Sequence, residues 1–365
     1  MTHALSDVEW DACLLEPRRD RELEAYVRRE LGSLPSSVVY FTPVPWIVRS
    51  MTELSEFGAP AAHLDPLLAD LVGLVVSQDN SCRYCYGVQR MLMRVHGVPD
   101  SRIRQIEQNL VEAEIDPHPR AGLDFARRLS RAAPLVSGAD VRALQAAGWT
   151  GDAIRELAFL TLFNLYMNRL MTLAAIPYAQ PERLASLRAI RVAAPLIRFV
   201  LRRKHRLAVS KVTLLGPDRA PGRWDYLIGA LAGLSCARPL RGVLDGALES
   251  RVLPTRAKAL IFGVVARGLD CPKATHAANE LLLESGLTPR QIEDTLTHLG
   301  SADLSPLENA VIPFARGTIR GRPAQLQQRT RSLVGSLTPE QLVEAVGVAA
   351  LANVVGRLGV VTEVG

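Results

Sequence analysis

The sequence predicts an all-α protein made of two tandem copies of one helical unit, the second copy degenerate. Three observations predict it. Ala, Leu, Val and Arg dominate, and aromatics are only 5% of the 365 residues, a mixture that favours helix over sheet. No stretch sustains the period-two alternation of a half-buried strand. The chain also repeats itself. At an offset of 189 residues Cys82 falls on Cys271, Gly97 on Gly286, and Phe125-Ala126-Arg127 on Phe314-Ala315-Arg316. With one residue deleted, GWTGDAIRELAFLTLFN lies over SLTPEQLVEAVGVAALA, and Arg169 falls on Arg357. Several matches at one offset mark a duplication. The expected organisation is 1–180 for N-terminal helices plus the first copy, 181–217 for a basic linker and 218–365 for the second copy.

The elements follow in order. Asp7 to Leu31 reads as a helix with Trp10, Cys13, Leu14, Leu23 and Val27 inward and Gly32 as its stop. FTPVPWIVRSM breaks and restarts: Pro43 and Pro45 suit a helix entrance, and Trp46, Ile47 and Met51 open an apolar face. Asp65 is the expected N-cap of LDPLLADLVGLVVSQDN, with Pro66 in its first turn. CRYCYGVQRMLMRVHG is the next helix and ends at Gly97. Further helices are expected at Ser101–Ala113, Arg120–Ala132, Ser137–Ala146 and Thr150–Ala174. Between the copies, Arg183 to Lys211 holds no acidic residue, and Leu187, Ile190, Ala194, Ile197 and Leu201 fall on one helical face. Docking between the two halves with the arginines in water is the favoured reading. Contact with a membrane surface or an anionic partner is the other, and Pro195 would kink a single helix.

The net charge of +6 is spread along the chain without aromatic interleaving or zinc-finger spacing, so no nucleic-acid partner is expected. Five cysteines, an odd number, do not form a secreted disulfide framework. The N-terminus lacks the apolar region of a signal peptide, and no apolar run reaches the ~18 residues of a membrane span. A reducing, cytoplasmic setting is expected, where a close cysteine pair is catalytic or metal-binding more often than structural.

SCRYCYGVQ supplies the chemistry. Cys82 and Cys85, three residues apart at a helix start, are within reach of a disulfide. The unsatisfied N–H groups and positive dipole end there lower a thiol's pKa, and Arg83 could add positive charge. Haem attachment would need His where Tyr86 stands. Structural zinc wants two further ligands, and the second copy offers only Cys271 and His276, so neither metal nor cofactor is expected.

LADLVGLVVSQDNSCRYC resembles the core of the AhpD-like alkylhydroperoxidases of the carboxymuconolactone decarboxylase superfamily. That core has an acidic residue, eleven intervening residues, CxxC, and a His four after the second Cys. Here Asp70 holds the acid position, usually Glu, Cys82 and Cys85 match, and Gln89 stands at the His position. The resemblance extends more weakly to YMNRLMTLAAIP with its pair Asn168-Arg169. In the second copy Cys271 remains, while Ala259, Ala274 and Ala278 replace the acid, the second Cys and the His. The resemblance implies a thiol-dependent peroxidase or disulfide oxidoreductase with Cys85 as the peroxide-reacting thiol and Cys82 resolving, the reverse staying open. It also implies Asp70 as base, a hydroperoxide substrate, a lipoyl or thioredoxin-like dithiol as reductant, and a homo-oligomer. Gln89 cannot carry a proton at neutral pH, but it can hold a water or hydrogen-bond a thiolate. Tyr84, Tyr86, Asn168 and Arg169 are candidates to line a substrate pocket. His96, at the far end of the CxxC helix, is expected at the surface, and Met91, Met93, Met167 and Met171 in the core. Two other classes stay open: a cofactor-free lyase or isomerase of the decarboxylase type acting through Asp70, and a non-enzymatic binding or assembly module.

Overall fold

The computed structural model describes residues 8–108, 115–177, 203 and 222–364. All regular structure among them is helical apart from one isolated bridge, Val334 to Leu337. The basic linker, with its proposed helical face, lies outside the described residues save for Arg203.

The first half contains α1 (Arg21–Leu31), α2 (Pro45–Glu53), α3 (Pro66–Asp79), α4 (Arg83–Val95), α5 (Asp100–Gln108), α6 (Pro117–Arg131), α7 (Gly138–Ala146) and α8 (Gly151–Leu173). The second contains α9 (Asp225–Ile228), α10 (Ala237–Glu249), α11 (Thr255–Gly268), α12 (Pro272–Glu284), α13 (Pro289–His298), α14 (Pro306–Ile319), α15 (Pro323–Arg331) and α16 (Pro339–Val364). Helices α3, α4, α5 and α6 start 189 residues before α11, α12, α13 and α14. The duplication is therefore present in the helix boundaries as well as in the residues.

It also reaches the turns. Ser81 and Asp270, one residue before each matched cysteine, both take the left-handed conformation, at φ 51° and 53°. The cysteine amides that follow donate back into the preceding helix, Cys82 to Ser77 O at 3.0 Å and Cys271 to Ala266 O at 3.1 Å. Gly97 and Gly286 end α4 and α12 with φ of 84° and 93°, a region a Cβ disfavours.

In each half one apolar helix, α3 or α11, packs against the helix after it, against α6 or α14, and against the long closing helix, α8 or α16. The closing helices pack on each other, and α2 packs on α10, so one continuous core serves both copies. Helix α16 is long and apolar enough to cross a membrane by length and composition, beyond what the sequence reading allowed; 94% of its most apolar stretch is buried in the protein, where it acts as the core helix.

A glutamate at the same repeat position anchors each copy. Glu156 on α8 accepts the Ala62 and His63 amides at 2.7 and 2.6 Å. Glu344 on α16 accepts the Leu253 amide and the Trp46 indole N–H, the latter at 2.9 Å. Each carboxylate thus fixes the loop that leads into α3 or α11.

Several sequence expectations need correction at the N-terminus. The helix begins at Arg21, with Asp20 as its cap accepting the Glu22 and Leu23 amides, rather than at Asp7. Pro17 lacks the N–H a helix interior needs, and residues 8–20 run as an irregular strap. The Trp10 indole donates to Ile176 O and the Leu14 amide to Ala174 O, so the strap is tied to the end of α8. Gly32 is the stop, at φ 81°. Asp65 caps α3 with Pro66 in the first turn, and Thr150 caps α8.

Candidate active site

The left-handed turn at Ser81 delivers Cys82 to the N-cap of α4 in an extended conformation. Its sulfur accepts the Cys85 amide at 3.4 Å, one of the orphan N–H groups of a helix start. Both are free thiols; Cys82 is 0% exposed and Cys85 9%.

The two thiols are driven apart electrostatically. Burial pushes Cys82 up, but the Cys85 thiol, the Cys85 amide, the Thr172 hydroxyl and the Tyr84 amide together hold it below the usual thiol value. Burial pushes Cys85 well above it, and so do the bond to Cys82 and the charge on Cys82. Of the two, Cys82 is therefore the thiol that gives up its proton first.

Positive charge comes from a residue other than the neighbour expected in the sequence. The Arg83 guanidinium points to the Val8 carbonyl at 3.5 Å. Arg169 on α8, 3% exposed, is the cation that responds to the thiolate: burial lowers its pKa to about 10, and the Cys82 charge opposes that fall.

Cys271 is an internal control. It occupies the same N-cap in the second copy, yet burial pushes its thiol up to about 11, with Glu363 adding to the shift. Ala274 replaces the second cysteine there, and Val360 stands where Thr172 would. Helix-start amides act on both cysteines; the second thiol and the hydroxyl act on Cys82 alone.

The ultraviolet absorbance of thiolate should therefore titrate in the native protein with one phase below the usual thiol range, and Cys82→Ser should remove that phase. The folded Cys82 ionises below its unfolded value, so it contributes stability above that value, lost as pH falls through the folded pKa.

Gln89 lies one turn beyond Cys85 and donates from Nε2 to Asn164 Oδ1 at 3.3 Å. It faces Gly73 on α3, where an added Cβ would stand 2.5 Å from Nε2. In the second copy the sizes are exchanged: Phe262 stands at the glycine position and Ala278 at the glutamine position, both buried. The polar slot beside the cysteine helix is filled with an aromatic ring there.

Asp70 has His96 as its partner, Nε2 to Oδ2 at 2.7 Å. His96 was expected at the surface; it packs against α3 because α4 runs back along that helix, and its side chain is 17% exposed. The acid and a histidine do meet, but His96 is about three helical turns from Cys85. Glu56 lies near them. It is surface-accessible, yet the protein around it and then the Asp70 charge push its carboxyl up to about 7, with His96 opposing.

The remaining candidates divide. The Tyr84 hydroxyl meets Ser36 Oγ at 3.4 Å and Ser37 Oγ at 3.3 Å, tying α4 to the loop before α2. The Tyr86 ring lies under the Arg90 guanidinium at 5.6 Å. Asn168 accepts the Ser77 hydroxyl at 3.2 Å, joining α8 to the end of α3. Met93 and Met171 are fully buried, Met91 and Met167 partly. Sequence reasoning missed Thr172; its position one turn after Arg169, on the same face, was the available signal. A cavity of about 600 Å³ opens between α3, α5 and α6, lined by Leu67, Leu71, Val98, Ile106 and Trp149 among others, and includes none of the predicted site residues.

No protein-family model and no curated protein sequence matches the chain. Among solved structures, an uncharacterized peroxidase-related protein from Silicibacter sp. TM1040 aligns at 23% identity with a TM-score of 0.40, over 48% of this chain and 95% of its own. The alkylhydroperoxidase AhpD core of an uncharacterized peroxidase-related protein from Ralstonia eutropha JMP134 aligns at 20% identity with a TM-score of 0.40, over 49% of this chain and 91% of its own. Over about half its length, the chain is similar to these two peroxidase-related proteins.

Proposed function

We propose that the chain is a thiol-dependent peroxidase or disulfide oxidoreductase with one redox pair, Cys82–Cys85. The supporting observation is the pair at a helix start, where Cys82 accepts the Cys85 amide at 3.4 Å and the surroundings hold the Cys82 thiol below and the Cys85 thiol above the usual value. This environment favours the reverse of the assignment implied by resemblance: Cys82 reacts first and Cys85 resolves.

The chemistry balances. The Cys82 thiolate attacks the hydroperoxide O–O bond, forming a sulfenic acid and releasing an alkoxide that takes a proton. The Cys85 thiol then attacks that sulfur, closing the disulfide and releasing water. An external dithiol attacks Cys85, the more exposed sulfur, and Cys82 departs as the better leaving group because its pKa is lower. The test is dithiol-dependent consumption of tert-butyl hydroperoxide by the native protein, lost in Cys82→Ser and in Cys85→Ser. Full activity in both variants rejects the reading.

The Asp70–His96 pair favours a second reading, acid–base chemistry on a small organic acid away from the thiols. Under it, activity falls with Asp70→Asn and survives both cysteine changes.

A further inference from the structure

The two closing helices each bury an arginine at the same repeat position, and the two meet. Arg169 is 3% and Arg357 1% exposed. Their guanidiniums converge on one acceptor, the Ile319 carbonyl at the end of α14, at 3.3 and 2.8 Å. Arg357 also bonds the Asn353 side chain at 2.5 Å and its carbonyl at 3.3 Å.

No carboxylate among the described residues pairs with either guanidinium. The charges acting on Arg357 are Arg169 and Arg320, both positive, and the one acting on Arg169 is Cys82. At most one thiolate thus stands against two buried cations. A buried charge without a partner is strongly unfavourable, and arginine does not escape by losing its proton at neutral pH.

Unused donors gather at the same place. Arg169 Nε and Nη1, Arg357 Nε and Asn168 Nδ2 are all buried without a hydrogen-bond partner. Asn168, Arg169 and Thr172 share one face of α8 by their spacing. Arg169 and Thr172 both act on the Cys82 sulfur, so that face is turned to the thiol. Capping the single Ile319 carbonyl uses one N–H of each arginine and leaves this excess of donors and charge unexplained.

We propose that the contact between the two copies is a binding site for one small monovalent anion, held by Arg169 and Arg357 with the Asn168 amide, beside Cys82. Neither copy holds it alone. This gives the second copy, which lacks the second thiol, a direct part in the site through Arg357. Anion binding requires no thiol chemistry, so the proposal stands or falls separately from the peroxidase reading.

The test is thermal unfolding of the full chain in chloride titrated against gluconate at constant ionic strength. Wild type should melt a few degrees higher in chloride, with saturation, because only the folded state holds the ion. Arg357→Met, similar in length and uncharged, should lose that response. Equal midpoints of wild type in the two salts overturn the proposal, as does a full chloride response in Arg357→Met. If that variant does not fold, a crystal of the wild-type protein in bromide decides. An anomalous peak within hydrogen-bond distance of both arginines supports the site, and its absence there overturns it.

Discussion

Cys82→Ser lowers hydroperoxide turnover by more than ~10³-fold, the scale on which an enzyme loses turnover when its nucleophile is removed. The serine hydroxyl keeps the N-cap bond to the Cys85 amide, so folding and the α3–α4 turn survive. What disappears is the thiolate. Cys85 does not replace it, because burial, the largest cause of its raised pKa, acts with or without the Cys82 charge. Cys85→Ser has a different signature: one equivalent of hydroperoxide is consumed and turnover stops at the sulfenic acid, which a dimedone adduct on Cys82 reports. Equal loss of the first turnover in both variants would contradict the assignment of roles.

Glu344→Ala produces the largest loss of stability, about 3–5 kcal/mol by denaturant unfolding, on the scale found when one member of a buried charged set is deleted. Glu344 is 0% exposed and accepts the Trp46 indole N–H and the Leu253 amide. It also supplies the negative charge that supports Lys258, likewise 0% exposed, whose ammonium donates to the Ala247, Leu248 and Ser250 carbonyls. Removing the carboxylate strands two donors and takes the counter-charge from the ammonium. Glu156→Ala, at the matching position, costs less, because Ala69 stands where Lys258 would and only the Ala62 and His63 amides are stranded. A difference of the opposite sign would mean that the two anchors are not equivalent.

Much of the fold was legible in the sequence. Pro66 after Asp65, Thr150 before Gly151, and Gly97 and Gly286 at matched helix ends are local signals, and local signals set helix boundaries. The repeat offset was legible because duplication preserves spacing. The N-terminal strap was misread because its apolar residues mimic a helical stripe, whereas they face the end of α8. The cysteine pair was legible from CxxC at a helix start. Its electrostatics were not, since Arg169 and Thr172 come from a helix more than 80 residues away. The arginine pair was visible only as an alignment of Arg169 with Arg357; that both reach one carbonyl depends on how α8 and α16 cross. The Asp70–His96 contact was not legible, because nothing in the spacing shows that α4 returns along α3.

The thiol titre read after unfolding, with and without prior exposure of the native protein to one equivalent of tert-butyl hydroperoxide, tests the central claim most directly. The account predicts that five thiols fall to three, with a single Cys82–Cys85 cross-link in the peptide map. Five thiols remaining, or a cross-link that involves Cys13, Cys236 or Cys271, would contradict it.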